Sequence, residues 1–372
     1  MLPPNITIQN LLKAMGPRDA SDLHIRVGLP PSYRINGELR EIACKPLAGD
    51  EADQLIEPII PKMLRKRYDD TGDLDFASWS DDGERYRVNV FRAGGHMNAA
   101  VRRVKSEIPT YAALHLPKIY DRLVEETQEG LVLVVGVTGC GKSTTLAAMI
   151  EHINQTRHEN IITIEDPVEY RFHPSKAIVA QREIGIDVSD YKQALRYIVR
   201  QDPDVVFIGE MRDHDTVLAA IQAAETGHLV FGSMHTADAM QSFNRILEFF
   251  PQEEHDFVRG ALANTLKAIC AQRLLPALPG FEVGRVPATE VLLSSPIVRE
   301  KIRDGEDEDI PAIINQSREE GMHSFTQSLA ELVNKEWVAR SIAMDYAPNR
   351  SALDSILKGV EVKAQTLVNR IK

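Results

Sequence analysis

The sequence predicts an α/β protein: a small α+β domain over residues 1–107, then a larger domain over 108–372 built on a mainly parallel sheet. Three observations point there. Apolar runs at 131–135, 161–164, 205–208, 229–232 and 288–293 alternate with amphipathic helical stretches, the pattern of strands covered by crossover helices. A glycine-rich loop follows the first of these runs. Before residue 108 the pattern is instead one of hairpins and alternating strands.

In the first domain, Ser32–Ile35 and Glu38–Ile42 flank Asn36-Gly37, a favoured pair for a tight hairpin turn. Residues 50–68 have helical spacing (Leu55, Ile59, Met63) interrupted by Pro58 and Pro61. Residues 85–90 alternate, with Tyr86, Val88 and Val90 on one face and Arg85, Arg87 and Asn89 on the other. Residues 98–104 read as a partner strand after Gly94-Gly95. Arg85, Arg87, Arg92, Arg102 and Arg103 form a basic cluster. It reads either as a solvated face or as arginines offered to a neighbouring subunit's triphosphate.

In the second domain, residues 131–135 run into Gly136-Val137-Thr138-Gly139-Cys140-Gly141-Lys142-Ser143 and then a helix through Thr144 to Ile150. Strand, glycine loop and helix in that order make a phosphate cradle. Glycines let backbone N–H groups turn inward around an anion, and the helix N-terminus adds its positive end. Lys142 reaches the β- and γ-phosphates, and the Ser143 hydroxyl suits Mg²⁺. The motif arises by chance in only about one chain in a hundred of this length. Cys140 reads as a small residue at a variable position.

Other acids and histidines fall at strand ends. Asp204–Ile208 leads into Gly209-Glu210, where Glu210 is placed to hold Mg²⁺ through water. Residues 161–164 lead into Glu165-Asp166, and Glu165 is the candidate for orienting an attacking water; a solvated acidic loop is the alternative. His235 ends the 229–234 strand on the edge where a γ-phosphate would lie, and His228 begins it; either alone also reads as a hydrogen-bonded core residue. Arg196 and Arg200, four apart on one helix face, are supporting candidates, the usual reading being pairing with surface acids. Ser189-Asp190 and Asp213 or Asp215 are helix caps. Beyond Pro296 the chain reads as helices, making 285–372 mostly helical.

The totals narrow the class. The 372 residues suffice for two or three domains, with 43% apolar and 26% charged residues. A formal charge of −11 argues against nucleic acid as the main partner. Cys44, Cys140 and Cys270 are scattered, supporting neither a disulfide framework nor a cysteine zinc site. Residues 1–20 lack a continuous apolar core and no run is long enough to span a bilayer, so the expectation is a cytoplasmic protein.

Taken together the segments resemble the type IV pilus retraction ATPases, the PilT and PilU branch of the secretion-type ATPases. The matching stretches are Ala20–His24 with Gly28–Pro31, the glycine loop, 161–170 with Gln181-Arg182-Glu183, Arg200–Asp204, Gly209–Asp213, Glu225–His228 and His235-Thr236. The resemblance implies a PAS-like N-terminal domain, a RecA-like P-loop ATPase domain with C-terminal helices, and a homo-hexameric ring. It implies ATP and Mg²⁺ as cofactors, with Glu165 as general base, Glu210 acting on Mg²⁺ and His235 contacting the γ-phosphate. Arg87 and Arg102 become candidates to act across the subunit interface. An inner-membrane pilus platform protein is the implied partner, with recruitment to that membrane and a second retraction ATPase alongside. Residues 296–303 match the retraction motif only in part, so an accessory retraction ATPase is the close alternative.

Overall fold

Residues 6–35, 37–80, 83–104 and 107–359 are described by the computed structural model. Asn36 of the expected hairpin turn and 360–372 of the expected helical tail lie outside them. The chain divides into two compact units. One runs to Ile108 and also takes in Asp166–Arg171 and Arg182–Ser189; the other holds Pro109–Glu165, Phe172–Gln181 and the chain from Asp190 onward. The two short segments, assigned from sequence to the second domain, thus group with the first.

The first unit carries an antiparallel sheet of β1 (Ala20–Ile25), β2 (Ser32–Ile35), β3 (Glu38–Glu41), β4 (Asp73–Trp79), β5 (Arg85–Ala93) and β6 (His96–Val104), in the order β3-β2-β1-β6-β5-β4. The expected hairpin is present, with Ile35 paired to Glu38. Pro58 and Pro61 break the 50–68 helix as expected. It becomes Gly49–Ile56, two 3₁₀ turns, and Arg65–Thr71, because a proline ring cannot donate the bond that would continue the helix. Tyr86, Val88 and Val90 of β5 are fully buried among Leu12, Leu23 and Ile56. Each such side chain removed from water contributes about 1.5–3 kcal/mol.

The second unit carries β7 (Gly130–Val135), β8 (Asn160–Glu165), β9 (Ile178–Glu183), β10 (Val205–Ile208), β11 (Leu229–Met234), β12 (Leu266–Pro276) and β13 (Arg285–Leu293), in the order β13-β12-β7-β11-β10-β8-β9. The last residues of β9 pass into the first unit's grouping. The pairs β12–β7, β7–β11, β11–β10 and β10–β8 are parallel, and β13 is antiparallel to β12. Every residue of β7, β10 and β11 is buried, which is why β7 and β10 read as apolar runs and β11 as one broken only near its end, at Ser233. The expected parallel sheet is therefore present. Two strands of this unit escaped the sequence reading, as β1 and β4 did in the first: β9, which is largely half-exposed, and β12, which follows the helix His255–Thr265 with no turn between them. The tract from 285 opens with β13, and helices follow from Pro296 to Leu357.

Candidate active site

The four central parallel strands end on one edge, where open α/β sheets place their ligands. β7 delivers the loop 136–141, β8 delivers Glu165, β10 delivers Gly209-Glu210, and β11 delivers His235. Serine and backbone bonds lock these ends together. Gly209 N donates to Ile164 O (2.8 Å), Ser233 Oγ donates to Gly209 O (2.6 Å), and Met211 N donates to Ser233 O (2.9 Å).

The loop is built to turn tightly. Gly136, Gly139 and Gly141 all have positive φ, and the helix Lys142–Thr156 begins directly behind Gly141. At Gly136 the requirement is also steric: a Cβ there would collide with Cys140 Sγ and come within 2.6 Å of the Gln272 carbonyl oxygen. Cys140 is thus a packed residue, 2% exposed, and burial pushes its thiol pKa up. That leaves it a poor nucleophile. Lys142 is buried and its Nζ donates to Gly136 O (2.8 Å) and Val137 O (3.4 Å). Ser143 and Thr144 stand half-buried in the first helical turn, while Thr138 and Gly139 are exposed at the loop's crest.

His235 joins three of the strand ends. Its Nδ1 lies 3.4 Å from Thr138 Oγ1 and its Nε2 3.5 Å from Glu210 Oε1. The other oxygen of Glu210 lies 3.8 Å from Arg212 Nη1. Beside them opens a cavity of about 590 Å³, bordered by Val137, Glu210, Arg212, His235 and Asn244. Glu165 is buried, and its Oε1 accepts from Thr163 Oγ1 (2.6 Å) and Gln181 Nε2 (3.1 Å). A solvated acidic loop is therefore not what the strand end provides.

Other expectations need correction. His228 sits at the opposite end of β11, where its Nδ1 contacts Ala223 O (2.9 Å). A carbonyl only accepts, so Nδ1 carries the proton and His228 satisfies the end of the helix His214–Glu225. Six residues of strand, roughly 20 Å, separate it from the glycine loop. Arg196 is exposed in the last turn of Tyr191–Ile198, and Arg200 lies beyond that helix's end, so they do not share a helix face. Neither makes an ion pair among the described residues.

In the first unit, Arg85 is not on an open face. It is 1% exposed, 5.6 Å from the centre of the Trp79 ring, and its charge acts on Glu183. The segment Arg182–Ser189, which holds Glu183, groups with this unit, and only Arg85 of that row is buried. Arg103 is forked onto Glu84, and Arg92 lies over Tyr68. Arg87 and Arg102 remain outward. They are directly opposite each other on β5 and β6, and Arg102 Nε donates to Asp22 Oδ1 (2.8 Å) on β1. Like charges directly opposed across a sheet are unfavourable, and Asp22 offsets this pair.

Comparison with known proteins identifies the family. Residues 115–290 match the family described as Type II/IV secretion system protein. The chain is 37% identical over 340 residues to the type IV pilus retraction ATPase PilT of Pseudomonas aeruginosa, covering 91% of this chain and 98% of that protein. The chain belongs to the type IV pilus retraction ATPases. It is also 36% identical over 350 residues to the type IV pilus ATPase PilU of the same organism, covering 94% and 91%. The crystal structure of the pilus retraction motor PilT with bound ADP superimposes with a TM-score of 0.86 at 38% identity, covering 94% of this chain and 99% of that one. This retraction ATPase accordingly binds nucleotide and hydrolyses ATP. No helix among its described residues is long and apolar enough to cross a membrane.

Sequence reasoning gave no role to four side chains that hold the site: Thr163 and Gln181 on Glu165, both within the stretches that carry the resemblance, and Gln272 and Thr145 behind the loop. Thr163 was legible as a lone hydroxyl in an apolar strand two residues before the acid. Gln272 was hidden because β12 itself was not seen.

Proposed function

We propose that this chain is the motor subunit of a homo-hexameric ring that spends ATP on removing pilin from the base of a type IV pilus. The observation that carries this is the meeting of Thr138, His235 and Glu210 at one sheet edge. It ties the loop that grips a triphosphate to the strands that would respond to its loss.

The backbone N–H groups of Gly139, Gly141 and Lys142 bind the phosphates, and Lys142 exchanges its loop carbonyls for phosphate oxygens. Ser143 and Glu210 offer hard oxygen donors of the kind Mg²⁺ takes, Glu210 through water. The ion would neutralise charge on the β- and γ-phosphates. Glu165, already held by Thr163 and Gln181, orients the attacking water and accepts its proton. His235 senses the γ-phosphate from beside Thr138. Arg87 and Arg102 complete a neighbouring subunit's site, which their outward placement on the sheet supports. An inner-membrane platform protein is the partner that receives the motion.

A second reading is an accessory retraction ATPase that works beside another motor. The near-equal identity to PilT and PilU favours neither. Complementing a strain that lacks all its retraction ATPases separates them. A main motor restores twitching alone and its Lys142→Ala variant does not. An accessory enzyme restores it only together with a second ATPase. No restoration in either setting overturns the retraction assignment.

A further inference from the structure

Behind the glycine loop lies a side chain that the reaction scheme above does not use. Gln272 is on β12, the strand adjacent to the loop's own strand β7, one residue beyond the Ala271–Val135 pair. It is 2% exposed, and both ends of its amide are committed. Nε2 lies 2.6 Å from Cys140 O on the loop's buried side, and Oε1 accepts from Thr145 Oγ1 at 2.9 Å in the first turn of the following helix. The orientation is fixed by chemistry, because a carbonyl only accepts and the nitrogen must face Cys140. Thr145 is itself 3% exposed, so neither end can turn to water.

We infer that Gln272 is a positioning residue for the ATPase reaction, setting the distance between the loop's Cys140 peptide and the helix that follows it. Its main-chain carbonyl oxygen lies 2.6 Å from where a Cβ at Gly136 would stand, and its side-chain Nε2 lies 3.1 Å from where a Cβ at Gly141 would stand. One residue therefore packs against the loop's first glycine and its last, and bonds the peptide just before that last one. With Cys140 O held back toward β12, the N–H groups that follow are left facing the anion. Phosphate grip is thus preorganised before nucleotide arrives, which is where a fixed cradle gains its affinity. A purely architectural role would show in stability and leave phosphate affinity alone.

The inference rests on the loop being the nucleotide cradle, and Lys142→Ala serves as the control for that. In the purified full chain, Gln272→Leu keeps the bulk but leaves Cys140 O and the Thr145 hydroxyl without partners. The expected result is a KM for ATP and a dissociation constant for ADP raised about tenfold or more, with kcat changed less. Gln272→Glu adds a signature. Its buried carboxyl bonds Cys140 O only when protonated, so ADP affinity should recover toward native as pH is lowered. Should Gln272→Leu fail to fold, Thr145→Val against Thr145→Ser gives the same reading, with the serine variant near native and the valine variant weakened. ADP affinity within about twofold of native in a folded Gln272→Leu or Thr145→Val protein overturns the inference, as does a fall in kcat with ADP affinity unmoved. If Lys142→Ala also leaves ADP binding intact, it is the cradle reading that fails.

Discussion

His235 Nε2 stands 3.5 Å from Glu210 Oε1, and the far nitrogen of the same ring stands 3.4 Å from Thr138 Oγ1. An imidazole is thereby strung between the glycine loop proposed to bind phosphate and the acid proposed to act on Mg²⁺. Its position depends on β7, β10 and β11 ending in register, with Gly232 opposite both Leu133 and Ile208.

From that relationship, Glu210→Gln should keep ATP affinity within a few-fold of native and lower phosphate release by about 100-fold or more. His235→Ala should lower it by roughly 10- to 100-fold. A steady-state phosphate-release assay paired with nucleotide titration reads both. Full activity in Glu210→Gln would remove that residue from the chemistry.

Glu165 makes a graded prediction. Glu165→Gln removes the carboxylate proposed as base and should abolish turnover, with ATP still bound. Thr163→Val and Gln181→Ala each leave the carboxylate one hydrogen bond short, and each should lower kcat by about 5- to 30-fold without raising KM. Equal losses in all three variants would mean that the hydrogen bonds are structural.

The paired arginines test assembly. Asp22 faces Arg102 across β1 and β6. Burial pushes the Asp22 carboxyl up, but bonds from Ser21 and Arg102 outweigh it and hold the pKa below its usual value. Arg87→Ala alone should cut turnover, and mixing it with Lys142→Ala should regenerate part of it, since some interfaces then carry an intact loop and an intact arginine. Titrating one variant against the other measures this. No recovery at any ratio places Arg87 outside the neighbour's site.

His323 gives the second unit a pH dependence. Its Nε2 lies 2.8 Å from Thr289 Oγ1, and burial holds its pKa below 6.5, against an opposing backbone bond at Gly321. A histidine with a depressed folded pKa is fully stabilising above the unfolded value. As pH falls below about 6.5 the unfolded chain binds a proton that the folded chain refuses, and stability declines. Urea midpoints at pH 7.5 and 5.5 should therefore differ, and His323→Gln should shrink the difference. An unchanged difference would assign the pH effect to other groups.

Much of this was legible in the sequence, for identifiable reasons. A strand buried on both faces, such as β10, leaves a run of apolar residues that nothing else explains. A glycine loop before Lys142-Ser143 carries its own signature, and proline marks the breaks at 58 and 61. Burial imposed by distant segments was not legible. Arg85 alternates correctly with Tyr86, yet it is 1% exposed and near enough to Glu183, about a hundred residues on, for its charge to act there. His228 and His235 bound the same strand, and the parallel sheet's direction, already read from the sequence, put His235 at the loop's edge; that His228 instead bonds Ala223 O was not legible. Gln272 needed β12, which no turn signal announces.

The central claim is that the chain turns over ATP through the loop at 136–143, and steady-state phosphate release from the purified protein with ATP and Mg²⁺ tests it most directly. The account predicts sustained release that Lys142→Ala abolishes together with nucleotide binding. Release that persists undiminished in Lys142→Ala, or a native protein that binds ATP and liberates no phosphate, would contradict it.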